Sequence, residues 1–140
     1  LGELRVHGVA MRPSSPTGVG RIAGVPVLLL PGNPVSCLVA YDFFAGPVIR
    51  SLGGRPTALP YPTAMLPLAG RLVSQIGRTD YARVRVRSGR VEPIAVGGAA
   101  VLSSVTGADG FVIVPAGSEG FPEGHPVTVH LYHLAEEPEK

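Results

Sequence analysis

With 140 residues, of which 45% are hydrophobic and 16% charged, the chain is long and apolar enough to form one ordinary domain or two small ones, so disorder is not expected. The formal net charge of +2 gives no reason to expect a nucleic-acid partner, and no run of about eighteen apolar residues suggests a membrane span. The single cysteine, Cys37, excludes an intramolecular disulfide framework and is typical of a reducing, cytoplasmic location.

The first predicted elements are two strands separated by a loop. The pattern of residues 4–9 favours a strand, and the segment 11–20 is rich in Pro, Ser and Gly and is therefore expected to be a loop. The uninterrupted apolar run at 25–30 is typical of a buried parallel strand. The chain begins without Met at what looks like the middle of an element, so we expect a fragment of a longer protein.

The segment Leu30-Pro31-Gly32-Asn33-Pro34-Val35-Ser36 is predicted to turn this strand into a helix. Gly32 permits close backbone approach, Asn33 is a good N-cap, and Pro34 suits the first helical position. The N–H groups at such a helix start can hold an anion, with Asn33 and Ser36 beside it. A well-capped turn without a ligand is the alternative. The helical pattern continues to residue 44 and is expected to be interrupted at 45–47, before a kinked or second helix ending near 52–54.

Residues 55–62 are predicted to be a proline-rich linker between two domains, 1–54 and 63–133, with 134–140 as a tail. Beyond the linker the hydrophobic period changes to two. The clearest strand is 81–87, followed by a turn at Ser88-Gly89 and a strand at 90–96. Further strands are expected at 111–115 and 126–132, and a pair at 65–69 and 71–76. The fold class predicted is therefore an α/β segment followed by a small all-β, barrel-like domain.

Residues 28–54, LLLPGNPVSCLVAYDFFAGPVIRSLGG, resemble the LPGNPVS segment of the molybdopterin molybdenumtransferases, the MoeA and gephyrin E-domain family. The segment 77–83, GRTDYAR, is similar to that family's Gly-Arg-x-Asp-Phe/Tyr-x-Arg sequence, and later matches follow in the same order. The resemblance covers about residues 1–133. It implies that 1–54 is the C-terminal part of a MogA-like molybdopterin-binding domain and that 63–133 is the family's β-domain.

The resemblance also implies a site for molybdate and the pterin phosphate. Arg12-Pro13-Ser14-Ser15-Pro16 matches the family's Lys-Pro-Gly-Lys-Pro loop, with Arg12 keeping the first charge and Ser15 replacing the second lysine. Arg83 occupies the position of an arginine that reaches the molybdate. The resemblance implies two catalytic residues, Arg12 and Arg83, and six substrate-binding residues: Ser15, Pro16, Gly32, Asn33, Pro34 and Ser36. Ala99 stands where the family has an assisting serine.

The residues alone are also compatible with solvent-exposed arginines that have no functional role. On the residues alone, Arg12 is a solvated loop charge, and at least two of Arg83, Arg85 and Arg87 lie on the solvated face of their strand. The four histidines form no short-spaced metal motif, so no metal ligand is expected in this chain.

The function implied is insertion of molybdate into adenylylated molybdopterin. Its Mg²⁺ ligands are expected upstream, the full-length protein is expected to be a homodimer, and this fragment alone is expected to be inactive. The losses at Ser15 and Ala99 keep an alternative open, a non-catalytic anion- or pterin-binding module with a β interaction domain.

Overall fold

A computed structural model describes residues 2–94 and 107–133 of the chain. The described elements, in chain order, are β1 (Gly2–His7), β2 (Met11–Arg12), β3 (Gly18–Ile22), β4 (Val25–Leu29), α1 (Pro34–Ala40), a π-helical turn (Tyr41–Ala45), α2 (Gly46–Leu52), β5 (Thr63–Pro67), β6 (Leu72–Val73), β7 (Thr79–Arg87), β8 (Arg90–Pro93), β9 (Gly110–Val114), β10 (Gly120–Phe121) and β11 (Pro126–Leu131). The predictions concerning Ala99 and the tail at 134–140 lie outside the described residues.

The strand after the first loop is not the buried parallel strand that its composition predicted. β4 pairs antiparallel with β3, which pairs antiparallel with β1, and most of β4 is exposed. Ala23 and Gly24, with φ of 48° and 84°, form the two-residue turn that closes the β3–β4 hairpin. The apolar run at 25–30 led us to predict a single buried strand and not a hairpin closed by this turn. The expected loop at 11–20 likewise contains β2 and the first residues of β3.

The helix begins where the sequence predicted, with Asn33 in the N-cap position and Pro34 in the first turn. The second helix expected after 45–47 is present as α2, which begins at Gly46 with Pro47 in its first turn and ends at Leu52. Helical structure nevertheless continues without a gap from Pro34. The π-helical turn accommodates Pro47: the N–H of Gly46 bonds the carbonyl of Tyr41, five residues back. By length and composition alone this 19-residue helix could cross a membrane, a test that core helices of globular proteins also pass.

The larger sheet contains strands from both halves of the chain. Its strand order is β2-β7-β9-β11-β5. β8 also pairs with β7, at residues 84–87, whereas β2 pairs with residues 79–80 of the same strand. β2 is parallel to β7, with Met11 opposite Thr79 and Arg12 opposite Asp80. The remaining named pairs in this sheet are antiparallel. This short parallel pair fixes the position of Arg12 relative to the second half.

The alternation predicted for β7 is confirmed. Ala82 and Val84 are buried in the main core, and Val86 packs against its edge. On the opposite face, Arg85 and Arg87 are exposed, as expected for at least two of the three arginines. The strands predicted near 90, 111 and 126 correspond to β8, β9 and β11.

The two strands predicted at 65–69 and 71–76 correspond to β5 and β6, which lie in different sheets. β5 pairs with β11, and β6 pairs with β10. After β5 the chain forms a parallel bridge between Leu68 and Val91, and both side chains are fully buried.

A second hydrophobic cluster packs the helix against the larger sheet. Its buried members are Met11, Val39, Tyr81 and Phe111, and Leu59 and Tyr61 pack against it. Residues 55–62 contain no helix or strand, but two of their side chains are therefore attached to this cluster. Through Val39 the cluster holds α1 beside the β2–β7 pair, and this arrangement creates the candidate site.

Candidate oxyanion-binding site

A cavity of about 450 Å³ lies where the 12–16 loop, the start of α1 and the segment before β7 meet. Its lining residues are Val9, Ala10, Met11, Arg12, Pro13, Ser14, Ser15, Pro16, Asn33, Ser36, Gly77 and Arg78. We call it the loop cavity. Three regions far apart in sequence contribute to it, so it exists only in the folded chain.

Ser14 attaches the 12–16 loop to the helix. Its hydroxyl donates a 2.6 Å hydrogen bond to the carbonyl of Ser36, and its own carbonyl accepts a 2.8 Å bond from the Thr17 hydroxyl. Ser14 is buried and has a φ of 95°, a conformation that glycine adopts much more readily. The loop is thus held against α1 by a residue in an unfavourable backbone conformation.

Arg12 is held in the cavity wall by a buried carboxylate. Its Nη2 donates to Oδ2 of Asp80 at 2.6 Å, and the Asp80 side chain is only 3% exposed. The β2–β7 register places these two residues opposite each other. Arg12 is therefore a fixed cation and not the solvated loop charge that the residues alone predicted.

Two polar atoms at the cavity are buried without a hydrogen-bond partner among the described residues: Nε of Arg12 and Oδ1 of Asn33. A buried donor without an acceptor is costly, and an oxyanion in the cavity would supply one to Arg12. The Asn33 side chain makes no capping bond to α1. A half-turn of its amide would present two N–H donors instead of the oxygen.

The loop cavity brings together five of the eight predicted site residues, Arg12, Ser15, Pro16, Asn33 and Ser36. Gly32 and Pro34 are adjacent in sequence to these residues but are exposed and do not line the cavity. Arg83 does not line it either.

Arg83 lies instead in a second cavity of about 520 Å³, on the face of α1 that carries Val35 and Val39. Its side chain is buried, and its positive charge lowers the pKa of Tyr132 against the stronger raising effect of burial. The structure therefore separates the two predicted catalytic arginines between two cavities on different faces of one helix.

The second cavity also contains a buried acid. Both carboxylate oxygens of Asp42 are within 3.0 Å of the Tyr61 hydroxyl. Burial raises the pKa of Asp42, and the Tyr61 hydrogen bond and the Arg50 charge only partly oppose this. Asp42 lies on the π-helical turn, a type of irregularity that is frequent at functional sites.

Arg78 is a cavity residue that the predicted set lacked. It lines the loop cavity, and its Nε donates to Oδ1 of Asp80 at 3.2 Å. The sequence held one indication, the Gly-Arg-x-Asp segment at 77–80, but the spacing alone does not show that it faces the 12–16 loop.

Comparison with known proteins gives a consistent result. Residues 65–132 match the family model of the MoeA C-terminal region, domain IV. Molybdopterin molybdenumtransferase 1 of Mycobacterium tuberculosis is 38% identical over 145 aligned positions, which cover 92% of this chain and 33% of that protein. Molybdopterin molybdenumtransferase 2 of the same species is 45% identical over 76 residues, covering 54% and 18%.

Solved structures agree with these relatives. The molybdopterin biosynthesis MoeA protein of Pyrococcus horikoshii superposes with a TM-score of 0.76 at 27% identity, covering 92% of this chain and 32% of that one. A molybdenum cofactor biosynthesis protein of Pyrococcus furiosus gives 0.74 at 30% identity, covering 92% and 45%. The chain thus spans less than half the length of these proteins. On its sequence and its fold, the chain belongs to the MoeA family, and it includes that family's C-terminal region.

Proposed function

We propose that this chain supplies the oxyanion-binding part of a molybdopterin molybdenumtransferase, which inserts molybdate into adenylylated molybdopterin. The observation that carries the proposal is the loop cavity, where a fixed guanidinium has a buried Nε that finds no partner within residues 2–94 and 107–133. The names of the relatives support molybdenum cofactor synthesis as the pathway.

The chemistry available to these residues is binding and orientation. Arg12 offers a planar set of donors that matches an oxyanion, and Asn33 and Ser36 offer neutral polar groups beside it. Molybdate and the pterin phosphate both carry negative charge, so a cation between them reduces their repulsion. Holding both reactants in one place also lowers the entropic part of the barrier.

Magnesium is implied by the family resemblance, and the described residues do not fit such a site. Among residues 2–94 and 107–133, no three His, Cys, Asp or Glu side chains cluster as metal ligands. We assign no step to magnesium in this chain. The proposal places its ligands, and most contacts with the pterin nucleotide, in upstream segments and in a homodimer partner, so this stretch alone is inactive.

The domain assignment is part of the same proposal. Residues 1–54 would be the C-terminal part of a MogA-like molybdopterin-binding domain, and 63–133 a barrel-like β-domain. The absence of helix and strand in 55–62 supports a connection there, and the Leu68–Val91 bridge supports closure of the larger sheet.

Binding of molybdate and of tungstate to the full-length protein, measured by isothermal titration, tests the proposal. Arg12→Ala removes a charge-assisted hydrogen bond worth about 1.5–3 kcal/mol, so binding should weaken by about ten-fold or more. Arg87→Ala is the matched control, because Arg87 is an exposed arginine at the far end of β7. Equal affinities for the two variants would contradict the assignment of the loop cavity.

Ser15 favours one alternative function. A neutral, exposed serine in place of a family lysine weakens the cavity's positive charge, as expected of a non-catalytic anion- or pterin-binding module. An in vitro cofactor-synthesis assay of the full-length protein separates the two functions. Molybdenum insertion excludes the module, and tight molybdate binding without insertion excludes the transferase.

A further inference from the structure

We propose that Arg78 is a second cation of the loop cavity and that Asp80 is the positioning residue that presents both Arg12 and Arg78 to the bound oxyanion. This inference rests on the proposed function, because it names further residues of the same site. The following contacts carry it.

One carboxylate binds both guanidinium groups. Oδ2 of Asp80 accepts from Arg12 at 2.6 Å, and Oδ1 accepts from Arg78 at 3.2 Å. The Ser74 hydroxyl donates to Oδ2 at 2.8 Å and so fixes the orientation of the carboxylate. Because each arginine uses a different oxygen, the two cations lie side by side.

The backbone holds the same arrangement. β2 and β7 place Arg12 opposite Asp80, and the N–H of Thr79 bonds the carbonyl of Ala10 at 2.9 Å. Gly77, with a φ of 97°, turns the chain just before Arg78. Arg78 thus enters the cavity wall from the segment that leads into β7, beside the loop that carries Arg12.

Arg78 keeps donors for a ligand. Within the described part of the chain, its only hydrogen bond comes from Nε, so its two terminal nitrogens remain for another acceptor. Its side chain is 30% exposed, which is enough for an ion to reach it. Arg12 uses Nη2 for Asp80, and its buried Nε lacks a partner among the residues that the structure describes.

The charges show why a second cation matters. Arg12 and Asp80 together are neutral, and Ser15 provides no charge where the family has a lysine. With Arg78 included, the wall carries one net positive charge, and the two guanidiniums offer several donors to one oxyanion.

Asp80 has opposite effects as a charge and as a positioning group. Its negative charge repels an oxyanion, so its loss would by electrostatics alone tighten binding. If it holds the two guanidiniums in place, its loss weakens binding even though the site becomes more positive. The sign of the effect in Asp80→Asn therefore distinguishes the two roles.

The experiment measures tungstate and molybdate affinity of the full-length protein by isothermal titration over a series of salt concentrations. Arg78→Ala should bind about ten-fold more weakly or worse, with a shallower salt dependence, since one charge-assisted contact is lost. Arg78→Lys keeps the charge but cannot donate to Asp80 through Nε, and it should lie between Ala and the unchanged protein. Arg87→Ala again controls for a general loss of charge.

Asp80→Asn should weaken binding several-fold although it adds a net positive charge. Tighter binding by this variant would overturn the positioning role. If this variant does not fold, as judged by circular dichroism, the two Arg78 variants decide the matter.

The outcomes also separate this inference from the proposed function. If the unchanged protein binds neither anion, the proposed function fails. If Arg12→Ala loses binding while Arg78→Ala binds normally, the loop cavity stands and the role of Arg78 is refuted.

Discussion

Ser14 allows the backbone strain at the loop cavity to be measured. It has a φ of 95°, where a residue with a Cβ costs about 1–2 kcal/mol relative to glycine. Its hydroxyl also bonds the carbonyl of Ser36. Ser14→Ala loses this bond and keeps the strain, so the free energy of unfolding should fall by about 0.5–1.5 kcal/mol. Ser14→Gly loses the same bond but relieves the strain.

The difference between the two variants isolates the strain. Glycine also increases the conformational entropy of the unfolded chain, which lowers the free energy of unfolding by about 0.4–1 kcal/mol and offsets part of the gain from relieved strain. We therefore expect Ser14→Gly to be more stable than Ser14→Ala by about 1 kcal/mol. Urea and thermal unfolding of the full-length protein measure this difference. A glycine variant no more stable than the alanine variant would refute the strain argument.

Three further predictions concern the aromatic cluster and the buried acid. Phe111→Leu removes a ring stacked on Tyr81 at 4.1 Å and on His130 at 4.8 Å, so urea unfolding should show a loss of about 1–3 kcal/mol, and an unchanged midpoint would contradict this. Burial raises the pKa of Asp42 in the folded protein. The stability of the unchanged protein relative to Asp42→Asn, measured by urea midpoints, should therefore be highest below the ordinary pKa of the carboxyl group and should fall as pH rises through the raised pKa. The opposite trend would show that the hydrogen bond of Asp42 outweighs its burial. Tyr61→Phe removes a hydrogen bond that lowers the Asp42 pKa, so an NMR titration should give a higher pKa for this carboxyl, and a lower one would contradict the reasoning.

The parts of the fold that were predictable are those set by local chemistry. The alternation in β7 predicted that Ala82, Val84 and Val86 share the core face, because side chains alternate across a strand whatever its neighbours. It did not predict that Tyr81 and Arg83, on the opposite face, are also buried. The start of α1 was also predictable, because Asn33 and Pro34 have strong preferences for these positions. In both cases a few adjacent residues contain the whole cause.

The features that were missed leave no periodic signal in the sequence. β4 has the composition of a buried strand, and only the Ala23-Gly24 turn indicates that it pairs antiparallel with β3. The helix after 45–47 was expected, but the π-helical turn at 41–45 that joins it to α1 was not. β2 has only two residues, and its pairing with Thr79 and Asp80 has no period to detect.

The candidate site divides in the same way. The resemblance selected five residues that line the loop cavity, because they lie in two short segments with distinctive sequences. It did not select Arg78, which reaches the cavity only through the β2–β7 pair, and it grouped Arg83 with residues on another face of α1.

The parallel β2–β7 pair therefore connects the fold of this chain to its proposed function. Arg12 belongs to the first half, but its cavity position depends on Asp80, a buried residue of the second half. A buried carboxylate with two guanidinium partners is stable only while all three groups are together, because an unpaired buried charge is costly. The loop cavity is thus formed by the docking of the two halves and is not a property of the LPGNPVS segment alone. For this reason the sequence with the most specific resemblance identifies the family, while residues 78–80 determine how the loop cavity presents its charge.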